Sequence, residues 1–273
     1  MSVGSYLKYA YKKGSFKYYI RGLLGTADFH SHIRLKPILK LCKQGYFRNQ
    51  SVMEIGCGSG MIGFEFWKRM GVHFHYIGID LSEENIEGAN KIKKVLHTKN
   101  LEFVCEDAFA YLERIKEEKI DMVILYDFLE HITMPESFIK ELTKKLNNPN
   151  LIYIISVPTH KYPKVFGQEF HKKVGHVVEG YSLEELKKLF CKIGKQPTRV
   201  SYNTGLWGNI GARIFYCIGR KLPLVIREII TKPFLLLDIN GSKISSSLFV
   251  VFDGESSFTN SSKTNHRILA TSK

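Results

Sequence analysis

The chain has 273 residues, 44% of them hydrophobic, which is enough to bury one sizeable core with appendages. Its formal net charge is +14, and it is unevenly spread: residues 1–50 carry 10 Lys and Arg against one acid, residues 51–150 carry 12 against 17, and residues 151–273 carry 18 against 8. An acidic middle between two basic flanks suggests an anionic partner, while five cysteines (Cys42, Cys57, Cys105, Cys191, Cys217) without C-x-x-C spacing argue against a zinc site or a disulfide framework and fit a reducing cytoplasm.

The stretch Tyr6–Leu24 interleaves Lys8, Lys12, Lys13, Lys17 and Arg21 with Tyr6, Tyr9, Tyr11, Phe16, Tyr18, Tyr19 and Leu23. Basic residues alternating with aromatics suit a lipid headgroup region, a helix packed over a cleft, or a nucleic-acid contact. Gly14 weakens a continuous helix there. His30 and His32 lead into a helical segment at Leu35–Cys42; two residues apart, they do not share a helix face, so no metal site is expected of them.

Next comes Val52–Gly60, V-M-E-I-G-C-G-S-G, an apolar strand end followed by Glu54 and by glycines at alternate positions, Gly56, Gly58 and Gly60, with Cys57 among them. Glycine takes φ > 0 without penalty and leaves the backbone bare for a ligand. The spacing differs from the G-x-G-x-x-G of dinucleotide binders. A second strand, His73–Asp80, ends in an acid followed by Leu81. A third, Leu101–Cys105, ends in Glu106-Asp107-Ala108. A fourth, Asp121–Asp127, ends in Tyr126 and Asp127, and a fifth spans Asn150–Pro158. Amphipathic segments at Met61–Arg69, Glu83–Leu96, Ala108–Lys116 and Pro135–Leu146 separate them. Strands alternating with helices imply a parallel sheet covered on both faces, with ligands at the carboxyl ends of the strands. Asp80 is placed there to bind ribose hydroxyls.

Over about residues 47–193 these motifs resemble the class I S-adenosylmethionine (SAM)-dependent methyltransferases. The resemblance implies an α/β fold with a doubly wound, mostly parallel seven-stranded sheet, and SAM as the cofactor. It implies cofactor contacts from Glu54, Gly56, Cys57, Gly58, Gly60, Asp80, Leu81, Glu106, Asp107, Ala108, Tyr126 and Asp127, with the acid after the third strand meeting the adenine amino group. It also implies that strands six and seven, Pro197–Thr204 and Ser246–Asp253, pair antiparallel at the sheet edge. The expected organisation is a basic helical extension over 1–46, a methyltransferase domain over 47–253, and a disordered tail over 254–273, rich in Ser, Thr, Asn and Lys.

About forty residues separate strands six and seven, and the part from about 207 to 238 is strongly apolar. Pro223 and Pro233 are expected to break it into short helices, and no uninterrupted run is long enough to span a bilayer. An insertion this apolar caps the substrate cleft, forms a homodimer contact, or dips into an anionic membrane interface.

The segment His160–Tyr181 overhangs the carboxyl end of the sheet, and Ser182 with Glu184 and Glu185 reads as a helix N-cap. Its run H-K-K-V-G-H-V-V-E-G-Y-S-L-E-E-L is similar to bacterial methyltransferases of cell-envelope and natural-product pathways. Methyl transfer from a sulfonium needs alignment, and a hydroxyl acceptor also benefits from a base, for which histidine suits neutral pH. His131, just past the fourth strand, is the first candidate; His171 and His176 follow. No metal is expected. The expected activity is O-methylation of a sugar, lipid-linked glycan or other envelope-related small molecule, in the cytoplasm or at the inner face of the membrane. The runner-up is a quinone-like apolar acceptor, followed by RNA or protein; Asp127-Phe128-Leu129-Glu130 stands where an N-P-P-Y-like motif would favour base nitrogens, so nucleic acid is not the expected partner. A noncatalytic module that keeps the fold only for binding is the alternative of another class.

Overall fold

In the computed structural model, which describes residues 5–24, 29–47, 49–71, 73–115, 119–238 and 244–254, seven strands form one sheet. They are β1 (Ser51–Ile55), β2 (His75–Asp80), β3 (Leu101–Cys105), β4 (Met122–Tyr126), β5 (Ile152–Pro158), β6 (Lys195–Asn203) and β7 (Ser247–Gly254). The order is β3-β2-β1-β4-β5-β7-β6. The first five are parallel, and β7 runs antiparallel between β5 and β6. The expected seven-stranded, mostly parallel sheet is therefore present. Strand order reverses between β1 and β4, which places the ligand crevice at their carboxyl ends. The serine-rich tail beyond residue 254 lies outside the described residues.

The helices are α1 (Phe16–Leu24), α2 (Phe29–Lys43), α3 (Met61–Met70), α4 (Glu83–Leu96), α5 (Ala108–Arg114), α6 (Pro135–Leu146), α7 (Tyr162–Phe166), α8 (Gln168–Lys173), α9 (Leu183–Cys191), α10 (Leu206–Arg213) and α11 (Leu224–Leu237), with a 3₁₀ turn at Ser5–Ala10 and another at Leu129–His131. Both faces of the sheet are covered. On one, Val52, Tyr76 and Ile124 pack with Phe64, Phe66, Ile86 and Ile92 of α3 and α4. On the other, Met53, Ile55, Val123 and Leu125 pack with Phe138, Ile139, Leu186 and Phe190 of α6 and α9. A strand buried on both faces reads as a continuous apolar run, which is why β4 is M-V-I-L-Y.

Local signals set the helix starts. Ser82 accepts the Asn85 N–H at α4, Asp107 accepts those of Phe109 and Ala110 at α5, and Ser182 forms a reciprocal capping box with Glu185 at α9. Each such cap contributes about 1 kcal/mol. Gly14, at φ 86°, separates the first 3₁₀ turn from α1. That turn is anchored on α3: the Tyr6 hydroxyl donates to the Met61 carbonyl at 2.8 Å and to buried Glu65 at 3.3 Å. It packs on α3 and α4 as part of the core.

Phe29 and Ile33 of α2, Tyr162 and Phe166 of α7, and Ala212 and Phe215 form a smaller cluster that seats the insertion. One expectation fails here. Pro233 lies inside α11 and does not end it, whereas Pro223 stands at its N-cap. The hydrogen bond a proline deletes would have gone to the carbonyl four residues earlier, at Ile229, on the outward side of the helix where water can serve it.

Candidate active site

A cleft of about 380 Å³ opens at the carboxyl ends of β1, β2 and β4. Ile55 and Gly56, where β1 passes into the loop before α3, contribute to its floor, and the loop's glycines, Gly56, Gly58 and Gly60, adopt φ 77°, 53° and 74°. The three glycines serve different ends. A Cβ on Gly58 would meet nothing within 4 Å, so the space beside it is open. A Cβ on Gly56 would lie 3.2 Å from the Phe128 ring, and one on Gly60 would lie 2.4 Å from the Phe103 ring. Gly60 thus serves packing and does not line the cleft.

Asp80 closes the loop from the side. Its Oδ2 accepts the Gly58 N–H at 2.7 Å, and its Oδ1 accepts the Ser82 N–H at 2.9 Å. Oδ1 also accepts from the Asn85 amide at 3.4 Å; a carboxylate offers about four acceptor sites, so Asp80 keeps about one toward the cleft. Glu106, Asp107, Ala108 and Asp127 also line it. Glu106 is held by Arg114, whose guanidinium lowers its pKa, while Asp107 spends Oδ1 on the cap of α5. Asp127 adopts φ 55° and donates its N–H to the Ser156 carbonyl at 2.8 Å. Leu81 and Phe109 present exposed apolar surface at the rim.

Five residues expected at the cofactor do not line the cleft: Gly58 and Gly60 of the loop, and Glu54, Cys57 and Tyr126, which are buried. Glu54 is 2% exposed and points under the loop, where it accepts the Tyr76 hydroxyl. Burial pushes its carboxyl up to about 8, against the lowering effect of that hydrogen bond. Glu54 pairs with Gly78 across the sheet, and the missing Cβ there leaves room for Cys57 and the Tyr76 ring. Cys57 is buried in the same core; burial first, then the charges of Glu54 and Asp80, push its thiol up. Tyr126 is buried on the α3 side of the sheet.

The three histidine candidates do come together. The rings of His131 and His176 are 4.9 Å apart, those of His176 and His171 4.8 Å, and the Tyr162 ring lies tilted 5.1 Å from His176. Only His131 lines the cleft. Its Nδ1 is 3.1 Å from the Gly175 carbonyl. A carbonyl only accepts, so Nδ1 carries the hydrogen, and in the neutral ring Nε2 holds the lone pair. His171 is buried, with Nε2 3.2 Å from the Val178 carbonyl. The turn carrying His131 is fixed by the loop after α8: Val177 N–H donates to the Glu130 carbonyl at 2.9 Å, and the Tyr181 hydroxyl donates to that of Leu129 at 3.0 Å. His160 is instead a surface partner of Glu185 at 2.7 Å.

Sequence reasoning did not single out Phe109, Phe128 or Glu130. Glu130 is fully buried, and Glu130, His131 and His176 each place a ligand atom within 4.8 Å of the others, a set able to take up a cation. The adjacent Glu-His pair and the histidine-rich overhang were the available signals; their convergence depends on how residues 160–181 fold back.

Residues 47–202 match a family described as a methyltransferase domain. Among curated proteins, the chain is 30% identical to the ubiquinone biosynthesis O-methyltransferase of Pelagibacter ubique (strain HTCC1062) over 111 residues, 40% of this chain and 43% of that protein. It is 26% identical to the protein of the same name from Rickettsia prowazekii (strain Madrid E) over 229 residues, 74% of this chain and 84% of that one. The match thus spans under half the length of the first and most of the second. A crystal structure of the plantazolicin methyltransferase BpumL with a triazolic desmethylPZN analog and SAH superposes with a TM-score of 0.55 at 16% identity, over 92% of this chain and 96% of that one, a likeness of fold.

Proposed function

The chain belongs to the class I SAM-dependent methyltransferases, and on that premise we propose that it methylates a hydroxyl of an apolar, quinone-type ring acceptor. Two things support this choice of acceptor over a glycan. The curated relatives are ubiquinone biosynthesis O-methyltransferases, and apolar Phe128 and Ile132 line the cleft together with His131. The observation that carries the hydroxyl chemistry is His131 at the cleft, its Nδ1 turned to Gly175 and its Nε2 left to accept a proton.

The cofactor fits the groups present. Bare backbone lies open at Gly58, Asp80 has acceptor capacity left for a ribose hydroxyl, Asp107 stands at the end of β3 for an exocyclic amine, and Leu81 and Phe109 offer apolar contact for an adenine. The acids of the rim favour a cation. When bound, SAM supplies a methyl carbon already activated by its sulfonium. The chain then has two tasks. The first is alignment of the acceptor oxygen with that carbon, which alone supplies a large share of the acceleration. The second is removal of the hydroxyl proton, for which His131 Nε2 is the group at hand.

The test is methyl transfer from isotope-labelled SAM to two acceptor sets, alkylated or prenylated catechols and sugar hydroxyls of lipid-linked glycans. Label in a catechol methyl ether is the expected result. Label in the glycan, with catechols untouched, would replace this reading.

A further inference from the structure

Helix α11 is inside out. Its apolar Ile226, Ile229, Ile230, Leu236 and Leu237 face outward, with Leu236 88% and Ile229 62% exposed. Its Glu228, Thr231 and Arg227 turn inward, and Lys232 alone of its polar residues is exposed. Glu228 and Thr231 are buried, the Thr231 hydroxyl donates to the Arg227 carbonyl at 2.7 Å, and the Arg227 guanidinium lies 5.1 Å from the Phe215 ring centre. A helix on the surface of a globular protein has the opposite polarity. Beside it, α1 packs against α11 and exposes Phe16, Tyr19 and Leu23, one helix face at i, i+3 and i+7, with Phe16 77% and Leu23 75% exposed. Adjacent apolar faces of this kind mark an interaction site.

The charges around the patch indicate what covers it. Lys12, Lys13, Lys17, Lys221 and Lys232 are exposed on or beside the two helices. Residues 1–24 contain no acid, and Glu228, the one acid of α11, is buried. A second copy of the chain docked about a two-fold axis would bring like-charged lysines together with no carboxylate between them. An anionic headgroup layer meets both features: it pairs with the lysines while the apolar side chains enter the acyl boundary. No helix among the described residues is long and apolar enough to cross a membrane, so the helices lie in the plane of the surface. We propose that α1 and α11 together form a docking surface for an anionic lipid bilayer. This surface is built from residues outside the cleft and holds whatever the acceptor proves to be.

The test is flotation of the full chain with vesicles of phosphatidylcholine alone or mixed with phosphatidylglycerol. The chain is expected to float with the mixed vesicles, only weakly with the neutral ones, and less as salt shortens the Debye length below about 10 Å. Ile229→Asp with Leu236→Asp, at exposed positions that leave the core intact, should cut binding at least about tenfold. Lys12→Gln, Lys13→Gln and Lys17→Gln should each cost roughly fivefold. Circular dichroism and SAM calorimetry should be unchanged in all of them. Three results would overturn the proposal: no flotation of the folded parent at low salt, aspartate variants that bind like the parent, or a parent dimer that the aspartate variants dissociate, which would make the patch a self-interface.

Discussion

The backbone N–H of Gly58 donates to Oδ2 of Asp80 at 2.7 Å, tying the loop after β1 to the end of β2. One acid therefore shapes the loop and faces the cleft. The loop and the side wall of the cleft are a single unit, and substitutions in either act on both.

The glycines of the loop should separate by experiment. Gly60→Ala drives a Cβ to within 2.4 Å of Phe103, an overpacking that costs about 1–3 kcal/mol, and so lowers the melting temperature. Gly58→Ala meets no protein atom; it carries only left-handed backbone strain of about 1–2 kcal/mol and puts its Cβ into the open space beside the loop, where we propose the cofactor lies. Thermal unfolding should place Gly60→Ala well below Gly58→Ala, while SAM affinity suffers in Gly58→Ala. Equal melting temperatures would mean that Phe103 moves aside.

Glu54 should impose a pH dependence on stability. Its folded pKa, near 8, lies above the ordinary value of 4.5. The stabilisation is thus complete below about pH 4.5, where both states are protonated, and is lost as pH rises through about 8. Each pH unit across that window removes at most roughly 1.4 kcal/mol. Glu54→Gln should unfold at a higher temperature than the parent at pH 8 and lose that advantage toward pH 5. A difference that does not vary with pH would show that Glu54 is ionised in the fold. The exposed acids Glu136 and Glu185, both held near 2, act at the opposite end of the pH scale.

His131→Ala should lower kcat by about 10²–10⁴-fold with SAM affinity intact. His171→Ala, which removes the bond to the Val178 carbonyl, should act mainly on stability. Activity that a chelator abolishes and a divalent cation restores would instead make His131 a ligand alongside Glu130 and His176. Unchanged kcat in His131→Ala would remove it from the chemistry.

Much of this was legible in the sequence. Short apolar runs ending in Asp80, Glu106-Asp107 and Asp127 gave the strands and their ligand-bearing ends, because a parallel strand buried on both faces needs no alternation. Ser182 with Glu185 announced the start of α9. What sequence did not carry was sidedness. Glu54 and Tyr126 sit at strand ends like Asp80, yet turn into the α3 face of the sheet, and only the pairing of Glu54 with Gly78 reveals the space that admits the Tyr76 ring. Pro233 misled because its cost depends on whether the freed carbonyl meets water. The clustering of His131 with His176 depends on the loop after α8 folding back over the second 3₁₀ turn, a long-range contact with no local signature.

The cleft lined by Gly56 and Asp80 is the proposed SAM site. Isothermal calorimetry on the parent and on Asp80→Ala tests it most directly. The parent should bind SAM at one saturable site, and Asp80→Ala, losing charged hydrogen bonds worth about 1–3 kcal/mol, should bind roughly ten- to a hundredfold more weakly while remaining folded. Undiminished SAM affinity in a folded Asp80→Ala variant would contradict the account.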